Sequence, residues 1–379
     1  MDFRLGEGTD ALREEVGAFL DEILTREVEQ RLHSTGVSHD EAFVEGLIER
    51  GWFAPSWSEA DGGPGLDPTS ITVIYEELNK RDAPLYGSSV SLMVAKALLH
   101  FGTEEVRREV IPRVLRGETI CVLGFTEPEA GSDVANAQTR AVRDGDEWVI
   151  NGSKMFTTNA QIGDYAYLLT RTNPDVPKHK GLTTFLVPLK QDGVEVQAVY
   201  TLSGERTNIT FYNDVRVPDS HRIGEVDGGW QVLTSSLMDE QAASFSPWIV
   251  SLLDTVREWA VATGRIADPD VRERLGRASA EAEISLLLRR RCTWMDEQGL
   301  PRTVEGPMAK LYSSEALTRA TEDLFDLVGP EALRSYMGDG APWGRVEHLM
   351  RFALGTTIYA GTSEVQRSLI AQRGLGLPR

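Results

Sequence analysis

Cysteine is scarce in this chain of 379 residues, which contains only Cys121 and Cys292. The two lie far apart, and neither belongs to a Cys-x-x-Cys pair or to a spacing typical of metal ligands. We therefore expect no metal site and a reducing compartment, the cytoplasm. The first residues do not form a basic segment followed by an apolar run, so we expect no secretory signal.

Long apolar segments and an excess of positive charge are also missing. No apolar stretch reaches the ~18 residues that a membrane-spanning helix needs. The 39 Lys and Arg residues are outnumbered by 58 Asp and Glu, which gives a formal net charge of −19. Binding to nucleic acid or to anionic lipid depends on basic side chains, so we expect neither nucleic acid nor a membrane as a partner. A local basic pocket for a phosphorylated substrate remains compatible with this charge.

The chain divides into three parts by its hydrophobic pattern. Residues 1–118 show apolar positions at helical spacing. Residues 119–229 contain several short β-prone runs separated by turns, including Asp144-Gly145 and Asn151-Gly152, and predict a compact β-barrel or sandwich. Residues 230–379 return to long helical patterns. We therefore expect an α+β, multidomain fold with these three domains in the order α, β, α.

Two polar segments lie within the β-prone part. In Thr126-Glu-Pro-Glu-Ala-Gly-Ser-Asp133, Gly131 and Ser132 can present backbone N–H groups and a hydroxyl to an anion or to a ring carbonyl. A sharp turn between strands explains the same residues without a ligand. In Lys154-Met-Phe-Thr-Thr-Asn159, an aromatic side chain followed by two threonines suits a planar ligand with a polar edge. An ordinary strand end is the alternative there.

A third segment, Tyr359-Ala-Gly-Thr-Ser-Glu-Val-Gln-Arg367, lies near the C-terminus. Together the three segments resemble signatures of the acyl-CoA dehydrogenases: Thr-Glu-Pro-x-x-Gly-Ser-Asp, Asn-Gly-x-Lys-x-(Trp/Phe)-(Ile/Thr)-Thr-Asn and Tyr-Glu-Gly-Thr-Ser-x-x-Gln-Arg. With the α-β-α order, the resemblance covers essentially the whole chain. It implies an N-terminal helical domain, a middle β-barrel, a C-terminal four-helix bundle, and FAD lying extended at a subunit interface.

The resemblance also implies a set of FAD contacts. Thr158 matches the hydroxyl that bonds the flavin N5 region, and Ser132 matches a residue that bonds the flavin or the CoA arm of the substrate. The complete set of matching positions is Leu123, Phe125, Thr126, Gly131, Ser132, Phe156, Thr157, Thr158, Thr362 and Glu364.

The reaction implied is α,β-dehydrogenation of an acyl-CoA thioester to the trans-2-enoyl-CoA, in which a carboxylate removes the α-proton while the β-hydrogen leaves as hydride to the flavin. Ala360 stands where most of the family has that carboxylate, and a methyl group cannot accept a proton. A subset that includes isovaleryl-CoA dehydrogenase places the base on an earlier helix, in a sequence resembling Gly-Leu-Asp-Leu-Glu-Arg. This chain has Ser236-Leu-Met-Asp-Glu-Gln241 at the matching place, which makes Glu240 the candidate base and Asp239 the alternative. The Ala360 backbone N–H remains the candidate donor to the thioester carbonyl.

Two motifs that hold the FAD pyrophosphate of a neighbouring subunit in homotetrameric members are altered here. The chain has Gly264-Arg-Ile-Ala-Asp-Pro269 without the usual Phe-Gly, and Asp326-Leu-Val-Gly-Pro330-Glu331 where Gln-x-x-Gly-Gly is usual. Proline removes a backbone donor, and carboxylates repel a pyrophosphate. These changes favour an α2β2 complex with a paralogous subunit over a homotetramer. Such complexes resemble actinobacterial enzymes acting on steroid side-chain CoA thioesters, which makes a branched, bulky or steroid acyl group and a role in β-oxidation the expectation.

Three functions remain open from the sequence. The first is an active dehydrogenase subunit that uses Glu240 and passes electrons to an electron-transferring flavoprotein. The second is a non-catalytic structural subunit of a heteromeric dehydrogenase, favoured by Ala360 and by the altered pyrophosphate motifs. The third is an acyl-CoA oxidase, which would reduce O2 and form peroxide.

Overall fold

The computed structural model describes residue 5 and residues 8–240, 244–336 and 343–378, except for the side chains of residues 237–240. Helices occupy the first part of the chain up to residue 115, strands follow up to residue 223, and helices return from residue 229. This is the order α, β, α that the sequence predicts. None of the described helices is long and apolar enough to cross a membrane. The first helices are α1 Thr9–Ile23, α2 Arg26–Thr35, α3 Glu41–Glu49, α4 Pro68–Lys80, α5 Tyr86–Phe101 and α6 Glu104–Leu115.

Polar residues placed just before the helices start several of them. The side chains of Asp40, Asp67 and Thr103 accept hydrogen bonds from backbone N–H groups in the first turns of α3, α4 and α6. Each bond satisfies a donor that has no partner within its helix. Pro68 begins α4, where its fixed φ and missing N–H cost nothing.

The strands form one mixed eight-stranded sheet. β1 pairs in parallel with β4, and the remaining strands follow the order β6-β7-β3-β2-β4-β5-β8. The predicted turn at Asp144-Gly145 is confirmed, because it closes the hairpin between β2 and β3. The strands are β1 Cys121–Gly124, β2 Arg140–Asp144, β3 Glu147–Lys154, β4 Tyr165–Arg171, β5 Leu182–Pro188, β6 Val194–Tyr200, β7 Arg206–Pro218 and β8 Arg222–Ile223.

The predicted turn at Asn151-Gly152 is wrong. Both residues lie inside β3, where the pairing with β7 shifts register between Ile150 and Gly152. Gly152 has a φ of 150°, and a Cβ there would lie 2.6 Å from the hydroxyl oxygen of Thr139. The glycine therefore permits an irregularity within a strand, a use of glycine that a turn signal in the sequence does not distinguish.

The core of the sheet consists of side chains that alternate along the strands. Trp148 and Ile150 of β3, Phe185 of β5 and Tyr212 and Val215 of β7 are buried in one cluster. The alternation of buried and exposed residues along β3 is the two-residue period of a strand that faces the core on one side.

The C-terminal helices pack around a second core. Ile249, Val256 and Trp259 of α8 meet Leu275 of α9 and Leu324 of α10 in one buried cluster. Long helices of this kind derive most of their stability from such burial rather than from intrinsic helix propensity. The C-terminal helices are α7 Gly229–Glu240, α8 Ser246–Ala262, α9 Pro269–Glu297, α10 Glu305–Val328, α11 Gly344–Thr356 and α12 Ser363–Leu375.

By the density of its internal contacts the chain divides into two units. The helical unit comprises Met1–Gln30, Leu66–Ala83 and Glu240–Arg379. The sheet unit comprises Arg31–Gly65 and Pro84–Asp239. The N-terminal helices thus divide their contacts between the two units. The two boundaries between the three predicted domains, after residues 118 and 229, remain a prediction from the sequence.

Candidate active site

Within the sheet unit the two polar segments lie side by side. The Met155 N–H donates to the carbonyl oxygen of Thr126 at 2.8 Å. The Lys154 ammonium lies 3.3 Å from the carbonyl oxygen of Phe125. These bonds join the residues that follow β1 to those that end β3, so residues assigned to one ligand by resemblance are neighbours in space.

A buried ion pair lies behind these segments. Lys154 is fully buried, and its Nζ lies 2.7 Å from Oε1 of Glu127. Glu127 also accepts the backbone N–H groups of Gln138 and Thr139 at 2.6 and 2.9 Å. Burial lowers the pKa of Lys154 to about 8, against the opposing effect of Glu127. Burial by itself would raise the pKa of Glu127, but Lys154 and the two N–H groups outweigh it and hold that pKa below its usual value.

This pair was not predicted from the sequence. Its only signal is that one motif carries a glutamate beside its threonine and the other begins with a lysine. Charged residues are rarely buried unless they are paired, and here the pair is formed between the two motifs. Its position indicates that it fixes one segment against the other.

The segment around Gly131 and Ser132 is both a turn and an exposed surface. Glu127 and Ala130 exchange backbone hydrogen bonds at 3.1 Å, which makes the turn tight. Gly131 and Ser132 are exposed, and no atom lies within 4 Å of a Cβ built at Gly131. Both explanations offered by the sequence are therefore compatible, because a sharp turn presents these residues to the outside.

The segment after β3 contains both exposed and buried side chains. Phe156 has a φ of 57° and a ring that is 56% exposed. The Thr158 hydroxyl is half-buried, 3.0 Å from the hydroxyl of Thr207. Thr157 is fully buried and lies against Thr210, so its side chain packs within the sheet unit. An exposed aromatic ring beside a threonine hydroxyl fits a planar, hydrogen-bonding group such as the flavin of FAD.

Leu123 and Phe125 lie in and just after β1. Leu123 is half-buried in β1, and Phe125 is buried with its ring edge-on to Tyr167 at 5.0 Å. The Tyr167 hydroxyl lies 3.3 Å from that of Ser236 on α7. Ser236 of α7 is thus linked to Phe125 through the buried side chain of Tyr167.

The candidate base lies at the end of α7. The side chains of Glu240 and of its alternative, Asp239, fall outside the described residues. The helix itself continues from Ser236 to residue 240.

The loop that contains Ala360 belongs to the helical unit. Ala360 and Gly361 both have left-handed backbone conformations, with φ of 54° and 82°. Gln366 Nε2 donates to the Ala360 carbonyl at 2.9 Å, and Lys310 Nζ donates to the Gly361 carbonyl at 2.6 Å. Thr362 ends the loop as the N-cap of α12, with its hydroxyl accepting the Val365 N–H.

An open cleft of about 360 Å³ lies beside the start of α12. Thr362, Ser363 and Glu364 line it together with Thr357. The two positions of α12 assigned to FAD by resemblance therefore border one concave surface. A helix N-terminus with a capping hydroxyl suits polar or anionic ligand groups.

The altered pyrophosphate motifs are occupied by internal contacts. Asp326 pairs with Arg274 at 2.8 Å, and the Trp259 indole N–H donates to Glu331 at 3.1 Å. The Arg265 guanidinium lies 5.0 Å from the centre of the Trp259 ring and donates to the Leu327 carbonyl at 3.3 Å. Arg265 and Glu331 thus have partners within the helical unit, whereas the Asp326 side chain, although paired, is 80% exposed.

Comparison with known proteins matches this arrangement to one family. Family models for the N-terminal, middle and C-terminal domains of acyl-CoA dehydrogenases match residues 6–118, 122–215 and 227–375. Acyl-CoA dehydrogenase FadE26 of Mycobacterium tuberculosis is 34% identical over 98% of this chain and 97% of its own length. Two solved structures are similar over the full length of both chains at 33% identity. They are the Tcur3481-Tcur3483 steroid ACAD, with a TM-score of 0.94, and the ChsE4-ChsE5 complex from Mycobacterium tuberculosis, with a TM-score of 0.90. The predicted fold class is thereby confirmed, and the chain belongs to the acyl-CoA dehydrogenases, a family of FAD-dependent oxidoreductases.

Proposed function

We propose that this chain is the catalytic subunit of a heteromeric acyl-CoA dehydrogenase, with Glu240 as the base and a branched or bulky acyl group, such as a steroid side chain, as substrate. FAD would be held by the surface around Thr126, Ser132, Phe156 and Thr158 and, when bound, accepts the β-hydrogen as hydride. The protein would supply the base and the hydrogen bond to the thioester oxygen.

The combination of Ala360 with a glutamate at position 240, where the similar subset of the family places its base, carries this assignment. Ser236 faces Tyr167, and Tyr167 packs against Phe125. In an α-helix, residues four apart lie on one face, so positions 236 and 240 share a face of α7. Position 239 is turned by about 100° from it. Only one of the two carboxylates can therefore face the substrate well, and the sequence match assigns that role to Glu240.

The Ala360 loop is the proposed source of the hydrogen bond to the thioester oxygen. Removal of the α-proton places negative charge on the thioester oxygen, which needs hydrogen-bond donors at that point. The Ala360 N–H is offered by a loop whose neighbouring carbonyls are held by Lys310 and Gln366. The methyl side chain leaves this donor in place while removing the usual base.

The proposed partner is a paralogous acyl-CoA dehydrogenase subunit. Arg265, Asp326 and Glu331 are engaged in contacts within this chain. The similar structures include a complex named for two different subunits and an enzyme described as a steroid ACAD. An α2β2 assembly, in which the partner supplies the pyrophosphate contacts, accounts for both observations. A homotetramer is the alternative. The proposed location is the cytoplasm, and the proposed electron acceptor is an electron-transferring flavoprotein.

A structural, non-catalytic role is the second candidate function. Ala360 favours it, because the loop that usually carries the base has only a methyl group. In that case the partner subunit would contain both the base and the complete flavin site. The acyl-CoA oxidase alternative differs in a direct observable, since it forms hydrogen peroxide without an electron-transferring flavoprotein.

Glu240→Gln separates these candidates. The complex of this chain with its paralogue would be purified, and turnover of linear, branched and steroid side-chain acyl-CoA thioesters measured with a dye acceptor and with O2. Loss of a general base costs about 10²–10⁴-fold in rate, so we expect a loss of that size in kcat.

Asp239→Asn is the matched control, since it removes a carboxylate one position away and should retain turnover within a few-fold. Unchanged turnover in Glu240→Gln would overturn the assignment. If Asp239→Asn alone were inactive, Asp239 would be the base, and if neither variant lost activity the chain would be the structural subunit.

A further inference from the structure

Two buried side chains from different helices hold the backbone of the Ala360 loop. Lys310 of α10 is fully buried, and its ammonium donates to the Gly361 carbonyl at 2.6 Å. Gln366 of α12 is 1% exposed, and its Nε2 donates to the Ala360 carbonyl at 2.9 Å. Both carbonyls therefore point into the helical unit, towards side chains that cannot reach solvent.

The planarity of the peptide bond converts these contacts into a direction for the N–H groups. In a trans peptide the N–H points opposite to the carbonyl of the same unit. The Ala360 carbonyl shares its peptide with the Gly361 N–H, and the Gly361 carbonyl shares its peptide with the Thr362 N–H. Because the two carbonyls point inwards to Gln366 and Lys310, these two N–H groups point away from the helical core.

These donors are not used inside the described part of the chain. Among the described residues, the N–H groups of Ala360, Gly361 and Thr362 have no acceptor, and all three residues are half-exposed. By contrast, the next N–H group, of Ser363, donates to the Thr357 carbonyl at 3.0 Å. Consecutive free N–H groups in a turn can form a concave site that attracts negative charge.

The loop would not hold this shape by itself. Ala360 has a φ of 54°, a conformation that costs a residue with a side chain roughly 1–2 kcal/mol. A strained backbone of this kind persists only where the surrounding contacts over-determine it. The only side chains that bond the carbonyls of Ala360 and Gly361 among the described residues are Gln366 and Lys310.

We infer that Lys310 and Gln366 are positioning residues: by fixing the two peptides that follow Ala360, they hold the N–H groups of Gly361 and Thr362, and the loop that carries the Ala360 N–H, ready for the oxygen that becomes negative during proton removal. This inference rests on the proposed function. The Lys310 ammonium also withdraws electron density from the Gly361 carbonyl, which makes the Thr362 N–H a stronger donor. Neither side chain touches the substrate, because each acts through a backbone carbonyl.

Lys310→Met in the purified complex tests the role of the ammonium, since methionine keeps the length of the side chain and removes the donor. We expect kcat per bound FAD to fall about 10–100-fold with little change in KM, because a misplaced group costs rate more than binding. Amide hydrogen exchange of the peptide spanning residues 358–366 should accelerate. Lys310→Arg retains a cationic donor and should therefore partly restore both kcat per bound FAD and slow amide exchange in residues 358–366.

Lys80→Met is the matched control, because Lys80 forms a surface ion pair with Asp254 in the same helical unit. It should change neither kcat nor exchange in residues 358–366. A purely structural role for Lys310 predicts a lower melting temperature with an unchanged kcat per bound FAD, and that result would overturn the inference.

Gln366→Met tests the second side chain that holds the loop. Because both side chains act on one loop, the losses in the double variant Lys310→Met, Gln366→Met should be smaller than the product of the single losses. Independent, multiplicative losses would contradict a shared role. Should the wild-type complex turn over no acyl-CoA, the proposed function fails. The rate of amide hydrogen exchange in residues 358–366 then tests the inference by itself. An unchanged rate in both Lys310→Met and Gln366→Met would overturn it.

Discussion

The backbone N–H of Met155 donates to the carbonyl oxygen of Thr126, and the 2.8 Å bond joins two segments that are well separated in sequence. Directly behind it, Lys154 and Glu127 form a fully enclosed ion pair between the same two segments. The surface proposed for the flavin is therefore supported by a charge pair that is almost completely buried.

Removing Glu127 should destabilise this surface strongly. Glu127→Ala leaves the buried Lys154 without its counter-charge, and loss of one partner of a buried pair costs about 3–5 kcal/mol. Urea unfolding at pH 7 measures the loss, and bound FAD per chain should fall with it. Glu129→Gln, an exposed carboxylate in the same turn, is the control and should change stability by less than about 0.5 kcal/mol. A loss below about 1 kcal/mol in Glu127→Ala would show that the pair does not fix the segments.

The protein should lose stability at low pH through Asp82. This residue accepts bonds from the Trp248 indole and, at 2.7 Å, from Arg345, with His348 Nε2 at 3.6 Å. Burial would raise its pKa, but Arg345 and His348 outweigh burial and hold the pKa well below its usual value. Since the folded pKa is depressed, the stabilisation is complete above the unfolded pKa of about 3.9 and is lost as pH falls from there.

The variant Asp82→Asn tests that pH dependence. At pH 7 its free energy of unfolding, measured with urea, should be about 3–5 kcal/mol lower than that of wild type, because Arg345 is left without its counter-charge. The difference in free energy of unfolding between the variant and wild type should stay constant from pH 7 to about 5 and become smaller below about pH 4. Asp254→Asn, which breaks the exposed pair with Lys80, is the control and should show a small effect. A difference that does not depend on pH would exclude the carboxylate charge as its source.

Removing a methyl group at Ala360 and adding one at Gly361 should change the stability of the protein in opposite directions. Ala360→Gly relieves a left-handed alanine and should raise stability by about 0.5–1 kcal/mol. Gly361→Ala introduces a Cβ 2.7 Å from Gln366 Nε2 at a φ of 82°, and should lower stability by more than about 1 kcal/mol. Thermal unfolding of both variants measures these shifts. Equal melting temperatures in the two variants would mean that the loop is not held in this conformation.

Flavin content should depend on the partner subunit. We expect little bound FAD on this chain alone and about one FAD per two chains when it is co-purified with its paralogue, because Asp326 and Glu331 bring negative charge, and Pro330 lacks a backbone donor, at the positions of the altered pyrophosphate motif. Absorbance of released flavin against polypeptide concentration measures the ratio. One FAD per polypeptide on this chain alone would establish a homo-oligomer and contradict the proposed division of the site.

The helices, most strands and the family motifs could be predicted from the sequence, because local period and turn chemistry repeat over many residues. The Thr103 cap of α6 and the Asp144-Gly145 hairpin depend on contacts within a few residues. The turn predicted at Asn151-Gly152 was wrong, because glycine permits a bulge within a strand as readily as a turn. Only the pairing of β3 with β7 distinguishes the two.

By itself the sequence determined the α-β-α order, the family and the absence of a carboxylate at Ala360, since each is written in residue identity or periodicity. Only the tertiary structure decided that Glu127 meets Lys154, that Asp82 lies against Arg345, and that Lys310 and Gln366 hold the loop beside Ala360. Each of these contacts joins residues far apart in the chain. A buried charge is stable only where folding delivers its partner, and no local pattern records which partner that is.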